Sequence, residues 1–288
     1  MNFAALLETL NSVIWSPALV FLCLAVGVYF TLTTLFLQVR CLPDMMRQIV
    51  SNKKSGSGVS SFESLMISLA GRVGVGNIAG VATAIAFGGP GAVFWMWAVA
   101  LLGSATSFIE CTLAQIYKEK DRDTGEYRGG PAYYIEKAYK HTRAGKFMLV
   151  YAVVFAVAMM LATSYFLPGI QANGVAAAMH NAWGTDVRIS AVVLGILLAV
   201  IIMGGVRRIA NFASLVVPLM AVVYILASIV IMFVNFDRID DVFSLIFRSA
   251  FDQEAMFSGM LGAAIMWGVK RGIYSNEAGQ GTGPQSAA

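Results

Sequence analysis

The stretch Ser64-Leu-Met-Ile-Ser-Leu-Ala-Gly-Arg-Val-Gly-Val-Gly-Asn-Ile-Ala-Gly80 combines a hydrophobic helix with residues that interrupt one. Arg72 and Asn77 lie within it, beside Gly74 and Gly76. A glycine costs about 1 kcal/mol relative to alanine inside a helix, and a charge at mid-membrane costs roughly 3 kcal/mol. A continuous hydrophobic helix needs none of these residues. The stretch therefore predicts a helix that unwinds midway along its length.

A second stretch, Met266-Trp-Gly-Val-Lys-Arg-Gly-Ile-Tyr-Ser-Asn-Glu-Ala-Gly-Gln-Gly-Thr-Gly-Pro284, has the same character. It is rich in glycine and carries Lys270, Arg271 and Glu277. Unwound backbone at membrane depth is tolerated only where it lines a cavity or is buried in protein. Each helix end then offers N–H groups to an anion or C=O groups to a cation. Two broken helices therefore predict a site for a zwitterion and a cation.

Close helix packing is the alternative interpretation of these glycines. Gly76 and Gly80 form a G-x-x-x-G pair, and such pairs often serve only to let two helices approach. The embedded charges and amides favour the functional interpretation, because intramembrane polar residues usually mark binding sites. A nucleotide-binding loop is excluded, since neither a preceding strand nor the G-x-G-x-x-G spacing is present.

The composition places most of the chain in a membrane. Hydrophobic residues make up 58% of its 288 residues, charged residues only 12%, and the mean hydropathy is +0.72. An ordinary soluble domain has about 25% charged residues. Runs of about 20 apolar residues are long enough to cross the hydrocarbon core as helices. We predict an all-α polytopic protein with seven membrane segments, at residues 13–37, 63–88, 91–117, 147–178, 189–204, 211–235 and 255–280.

The distribution of charge predicts the orientation. Most of the lysines and arginines lie in the loops after the first, third and fifth segments, including the long loop 118–146. Such loops face the cytoplasm by the positive-inside rule. We therefore expect a protein of the bacterial inner (plasma) membrane with a periplasmic N-terminus.

The position of the two interrupted stretches favours a transporter over other membrane proteins. Five spans separate them, so they run in opposite directions, as the broken helices of inverted halves do. An intramembrane enzyme or a metal site would need clustered nucleophiles, bases or ligands. The only histidines are His141 and His180, and the cysteines Cys23, Cys41 and Cys111 are not at metal-ligand spacing. A channel would need rings of charge or a carbonyl filter. We expect no enzyme activity, no metal and no cofactor.

Three further stretches carry a resemblance to a known family. They are Gly74-Val-Gly-Asn-Ile-Ala-Gly-Val-Ala-Thr-Ala-Ile85, Gly88-Gly-Pro-Gly-Ala-Val-Phe-Trp-Met-Trp97 and Arg271-Gly-Ile-Tyr-Ser-Asn-Glu-Ala-Gly279. In these residues the sequence resembles the alanine/glycine:cation symporter family. The resemblance implies the inverted-repeat (LeuT-like) amino-acid transporter fold, alternating access, and coupling to Na⁺ or sometimes H⁺. It also implies alanine or glycine as substrate.

The resemblance assigns site residues to three helices. The predicted substrate-binding residues are Gly74, Val75, Gly76, Asn77, Gln171, Asn173, Trp267, Gly272, Tyr274, Ser275 and Asn276. Three residues would bind or gate the cation: Asn77, Asn276 and Glu277. Many family members have a small hydroxyl residue where this chain has Val75. If that hydroxyl contacts substrate, its role here falls to the backbone or to water.

Other polar residues have competing interpretations. Arg72 and Glu110 both lie roughly 12 to 13 Å from the cytoplasmic ends of their segments, so we expect a buried structural ion pair. Arg271 and Glu277 flank the second interruption, where they gate and fix the helix or contribute to the electrostatics of the cation site. Gln171 caps the outer helix end with its neighbour Asn173, or is aimed inward by a kink at Pro168.

The resemblance also predicts how the chain is organised. We expect one transmembrane domain over residues 1–288, consisting of a peripheral helix 13–37, a first five-helix repeat 63–235, and the broken first helix of a second repeat at 255–288. Family members continue for further spans, so we expect a C-terminally truncated sequence. The expected function is import of a small neutral amino acid, alanine or glycine, with Na⁺ as the coupling ion. The alternative is the same fold acting on another small solute or coupled to H⁺. The expected partners are these solutes and the lipid bilayer, and nucleic acid is not among them.

Overall fold

The computed structural model describes residues 3–51, 60–123, 125–251 and 260–288, and these are almost entirely helical. The helices are α1 (Phe3–Ile14), α2 (Pro17–Thr33), α3 (Leu37–Arg40), α4 (Leu42–Ser51), α5 (Ser61–Arg72), α6 (Val75–Gly88), α7 (Gly91–Tyr117), α8 (Pro131–Tyr139), α9 (Gly145–Leu161), α10 (Leu167–Trp183), α11 (Val187–Ile202), α12 (Gly205–Val234), α13 (Ile239–Phe251), α14 (Met260–Asn276) and α15 (Thr282–Ala287). A short hairpin pairs β1 (Glu119–Lys120) with β2 (Tyr127–Arg128).

Five helical stretches are long and apolar enough to cross a membrane. They are Ala5–Thr33, Ser61–Gly88, Gly91–Tyr117, Gly145–Trp183 and Gly205–Val234. The protein is therefore an all-helical, multi-pass membrane protein, as the composition predicts.

Two of the seven predicted segments fall short of that length in the described residues. The fifth corresponds to α11, a shorter apolar helix of 16 residues. The seventh corresponds to α14, which has 17 residues. Residues 255–259 of the predicted seventh segment lie outside the described residues.

The contacts within the chain divide it into two compact units. The first unit is Met1–Leu42, Gly80–Ile109 and Ile229–Gln280. The second unit is Pro43–Ala79, Glu110–Ser228 and Gly281–Ala288.

In the first unit, α2, α7 and α14 run in the same direction. Val20 of α2, Val99 of α7 and Val269 of α14 form one buried cluster. Further along the same helices, Gly27 meets Leu102, and Gly103 meets Ala278. The numbering rises together along all three helices, so they are parallel. The three helices correspond to the first, third and seventh predicted spans, and alternating spans require these three to cross the membrane in the same direction.

The end of α6 runs antiparallel to α14 in the first unit. A Cβ on Gly80 would lie 4.0 Å from Cδ of Arg271, whereas one on Gly88 would lie 2.8 Å from Cβ of Trp267. The numbering rises along α6 as it falls along α14. The end of α6 therefore runs in the opposite direction to α14, as the alternation of the predicted spans requires. Their assignment to two inverted repeats stays a prediction.

In the second unit, the local sequence explains where helices begin and bend. Ser60 and Glu63 form a capping box at the start of α5, because the Ser60 hydroxyl accepts from the Glu63 N–H and the Glu63 carboxylate accepts from the Ser60 N–H at 2.6 Å. Between α9 and α10 the chain makes a π-helical turn at Ala162–Phe166. Pro168 follows this turn, and it has no N–H to donate to the preceding turn.

The loop 118–146 forms the hairpin and α8 in the second unit. The Lys137 ammonium donates to the Tyr117 carbonyl at 2.6 Å and so caps the end of α7. It also pairs with the Glu119 carboxylate at 2.8 Å, and this hydrogen bond and charge lower the pKa of Glu119. The expected surface helix opened by Pro131 is therefore present as α8, and Lys137 connects it to α7.

Glycine substitutions in α14 test its packing against α7. A Cβ on Gly268 would lie 2.6 Å from the Ala92 carbonyl oxygen and from Cβ of Trp95, whereas one on Gly262 of the same helix meets no atom within 4 Å. We predict that Gly268→Ala destabilises the protein by about 1–3 kcal/mol through overpacking and lowers its thermal unfolding midpoint in detergent. Gly262→Ala should leave the midpoint unchanged or raise it, since alanine favours helix. Equal midpoints for the two variants would contradict this packing.

Candidate substrate and cation site

The first interrupted stretch is broken in the second unit. Helix α5 ends at Arg72, Val73 is extended with φ −108° and ψ 104°, and α6 begins at Val75. The break lies midway along the apolar stretch Ser61–Gly88. It therefore leaves helix-terminal backbone groups near the middle of a membrane-spanning length, where they require partners within the protein.

Gln171 of α10 supplies one of these partners. The Val75 N–H donates to Oε1 of Gln171 at 3.0 Å. A Cβ on Gly74 would lie 3.0 Å from the same oxygen, so any larger residue here would require the Gln171 amide to shift. The Asn77 N–H closes the first turn by donating to the Gly74 carbonyl at 3.0 Å. The start of α6 is thus an N–H end already bound by a carbonyl oxygen, which is the position where a helix favours an anion.

The second predicted polar residue on α10 is not on this face. Asn173 follows Gln171 by two positions, which is about 200° around a helix, and its side chain is exposed. Gly174, in contrast, packs on Val75, because a Cβ there would lie 2.7 Å from Cγ2 of Val75. The contact of Gln171 with Val75 favours the inward orientation over capping of the outer helix end. The structure brings Gln171 to the break, and it does not bring Asn173.

The π-helical turn before α10 is a feature that the sequence analysis did not predict. Thr163 donates its hydroxyl to the Met159 carbonyl at 2.9 Å, and Ser164 donates to the Met160 carbonyl at 2.6 Å. These side chains satisfy carbonyls where the regular helical bonds change register. Pro168 was the available signal, and it predicts a distortion in the preceding turn but not its type.

The second interrupted stretch is broken after α14. Every second residue from 277 to 281 has a positive φ: 52° at Glu277, 80° at Gly279 and 78° at Gly281. Glycine adopts this conformation without strain, whereas Glu277 does so at a cost. In the first unit Ala278 meets Gly103, near the middle of α7, so the break begins at mid-span. The unwinding starts after Asn276, and thus Gly272, Tyr274, Ser275 and Asn276 themselves remain helical.

Two of the predicted α14 residues make helix–helix contacts. A Cβ on Gly272 would lie 3.1 Å from Cβ of Val99, so the absence of a side chain serves packing against α7. The Trp267 ring stacks on Phe87 with the ring centroids 4.9 Å apart. The Arg271 guanidinium also lies over Trp267, at 5.5 Å from the ring centroid.

Polar groups collect on the same part of α14. The Tyr274 hydroxyl and Nε of Arg271 are buried without a hydrogen-bond partner among the described residues. Ser275 is buried as well. Gln280 folds back to donate to the Ile273 carbonyl at 3.0 Å, which satisfies one C-terminal carbonyl of α14. The Gln280 contact is a second feature absent from the sequence analysis, and a glutamine next to glycines gave no specific signal.

The remaining predictions at the site stay open. Arg72 is the last residue of α5 and Glu110 lies in α7, and their ion pair stays a prediction. The two roles considered for Arg271 and Glu277, gating or cation-site electrostatics, also stay predictions. Among the residues that the structure describes, no group of three or more His, Cys, Asp and Glu side chains is placed to hold a metal ion.

Comparison with known proteins identifies the family. The family model described as Sodium:alanine symporter family matches residues 1–288. The chain belongs to the sodium:alanine symporter family. This confirms the family resemblance, and it places the chain among transporters and not among enzymes.

Several relatives are similar over nearly the whole chain. The putative sodium/proton-dependent alanine carrier protein YrbD of Bacillus subtilis is 53% identical over 285 residues, covering 99% of this chain and 57% of the relative. The probable sodium/glutamine symporter GlnT of Bacillus subtilis is 44% identical, with coverage of 96% and 57%. The sodium/alanine symporter AgcS of Methanococcus maripaludis is 43% identical, with coverage of 100% and 63%. The chain thus spans about three-fifths of the length of these relatives.

Substitution of Gln171 and Asn173 tests which of these two α10 side chains binds the backbone at the first break in this symporter-family chain. Gln171→Ala leaves the partly buried Val75 N–H without its partner, so we expect a loss of about 1–3 kcal/mol and a lower thermal midpoint. Asn173→Ala removes an exposed side chain, and we expect a change within about 0.5 kcal/mol. The result that contradicts this geometry is a larger loss for Asn173→Ala than for Gln171→Ala.

Proposed function

We propose that the protein is a secondary active transporter that imports a small neutral amino acid, alanine or glycine, coupled to Na⁺. The observation that carries the proposal is the mid-span helix break whose Val75 N–H is bound by the Gln171 carbonyl oxygen. A continuous span would have no helix N-terminus at this depth. A helix N-terminus favours an anionic group. The names of two relatives, an alanine carrier and an alanine symporter, support this choice of substrate.

The substrate carboxylate takes the N–H groups near Gly74 to Asn77 in this proposal. The oxygen of Gln171 now accepts from Val75, so it occupies the place of a carboxylate oxygen. When the carboxylate arrives, it displaces this oxygen, and the amide Nε2 of Gln171 then donates to the carboxylate. Val75 contributes its N–H only, because its side chain packs on Gly174. The hydroxyl that many family members have at this position is thus replaced by backbone.

The coupling ion binds oxygen atoms at the unwound segments. The C-terminal end of α14 carries the negative end of the helix dipole, which favours a cation. Asn276 ends this helix and Glu277 is the first residue of the break, so both lie where side-chain oxygens add to that field. Asn77, in the first turn of α6, is the third proposed cation ligand. Tyr274 and Ser275 lie on the same turn of α14 and are proposed substrate contacts.

The proposed fold is the inverted-repeat (LeuT-like) architecture with alternating access. The opposite directions of α6 and α14, together with a mid-span break before α6 and another after α14, support it. We also propose that the protein lies in a bacterial inner membrane with a periplasmic N-terminus, because the basic loops alternate to one side of the predicted spans.

The second candidate is transport of another small solute or coupling to H⁺. One relative is named as a glutamine symporter and another as sodium/proton-dependent. The same break accommodates alanine or glutamine, since both amino acids carry an α-carboxylate.

Uptake into proteoliposomes tests the proposed function. We expect an inward Na⁺ gradient to accelerate uptake of labelled alanine, and Gln171→Ala to weaken apparent alanine affinity about 10-fold or more, because a hydrogen bond to a charged group contributes about 1.5–3 kcal/mol. Val175→Ala, at an exposed position of the same helix, is the matched control and should behave as the parent. Uptake driven by a pH gradient alone selects the H⁺ alternative, and uptake indifferent to both gradients overturns the proposal.

A further inference from the structure

The N-terminal helix α1 is amphipathic, and no residue in the part of the chain that the structure describes covers its apolar face. Every residue from Ala5 to Ile14 is exposed. At 100° per residue, the apolar side chains fall within an arc of about 120°, and the polar side chains occupy the rest. The apolar residues are Leu6, Leu7, Leu10, Val13 and Ile14, and the polar residues are Glu8, Thr9, Asn11 and Ser12.

A bend separates α1 from the span that follows. Ser16 is extended, with φ −67° and ψ 157°, and Pro17 opens α2. The 17 residues of α2 give a helix of about 25 Å. The whole stretch Ala5–Thr33 has 29 residues, which as a straight helix is about 43 Å and exceeds a hydrocarbon core of about 30 Å. Helix α2 alone is about 5 Å shorter than that core, so about three residues before it complete the span and most of α1 is not needed for it.

An aromatic ring lies at the bend, and a lysine ammonium of α14 lies beside it. Trp15 lies at the bend, and the Lys270 ammonium of α14 lies 5.8 Å from its ring centroid and 5.7 Å from that of Trp267. Within the described ranges, no carboxylate lies within 4.0 Å of this ammonium. Lys270 sits level with the start of α2, because its neighbour Val269 packs on Val20. Tryptophan and a lysine at the end of a span are typical of the lipid headgroup level.

We propose that α1 lies along the membrane surface with its apolar face in the acyl chains, and that Trp15 and Lys270 bind the phosphate of an anionic phospholipid at the bend. The adjoining span brings α1 to the bilayer surface, and its polar arc faces water in this orientation. The phosphate supplies an anion for Lys270, which has no carboxylate partner among the described residues. This assignment is independent of the proposed transport function, since it concerns the lipid and neither the solute nor the ion.

Nitroxide accessibility along α1 tests its orientation. Single cysteines at each position from 5 to 14, in the otherwise intact chain with Cys23, Cys41 and Cys111 replaced, are spin-labelled in vesicles of phosphatidylethanolamine and phosphatidylglycerol. We expect oxygen collisions to peak with a period near 3.6 at Leu7, Leu10 and Ile14. Collisions with a water-soluble nickel chelate should peak at Glu8, Asn11 and Ser12.

Three other patterns overturn the orientation of α1. If the depth of the spin label in the membrane changes steadily from position 5 to position 14, α1 extends the span. Water exposure at every position shows that α1 leaves the membrane. Spin–spin broadening confined to the apolar positions shows that this face packs on a second copy of the chain.

Lipid selectivity tests the phosphate at the bend. We expect Lys270→Gln to lower the preference for spin-labelled phosphatidylglycerol over phosphatidylcholine about five-fold, the effect of one cation at a charged surface, while Lys270→Arg retains it. Thermal unfolding of both variants controls for folding. Excess inorganic phosphate should not compete, because the proposed ligand is a membrane lipid. An unchanged preference in Lys270→Gln, or competition by free phosphate, overturns the assignment.

Discussion

Backbone groups without water must find partners within the protein, and this constraint governs both interrupted helices. At the first break the Val75 N–H is bound by the Gln171 side chain. At the second, Gln280 returns to the Ile273 carbonyl. In each case a glutamine side chain replaces a lost helical bond, and the alternative is an unsatisfied group that costs several kcal/mol in a membrane. A break held by a side chain is also one that a ligand of similar chemistry can occupy.

The glycines divide into two classes by what surrounds them. Gly268 and Gly272 let α14 approach α7, where any side chain would collide with the partner helix. Gly74 instead admits the Gln171 amide, and Gly279 adopts a positive φ in the second break. Helix packing and helix unwinding were competing interpretations of the glycines in the two interrupted stretches. In the second stretch both roles occur at different positions, so a close helix contact lies next to the break.

Much of the fold could be predicted because membranes impose simple rules. Apolar length predicts the helices, and the alternation of spans predicts that α6 and α14 are antiparallel, which the contacts bear out. Helix α11 and the bend at Ser16 show the limits of these rules, since apolar length alone neither measures a helix nor locates a bend. At the site, the sequence indicated Gly74 and Gln171 together, through the family resemblance. It did not separate Gln171 from Asn173, because their faces depend on the helix register after the π-helical turn.

The Val75 backbone amide reports the central claim, which is that the first break exchanges a side-chain oxygen for a substrate carboxylate. Its ¹⁵N and ¹H resonances can be followed in nanodiscs while alanine is added with and without Na⁺. The account predicts a saturable alanine-dependent shift at Val75 that is larger in Na⁺, with Val175 on the exposed surface of α10 unaffected. A Val75 resonance that stays constant at saturating alanine and Na⁺ would contradict it.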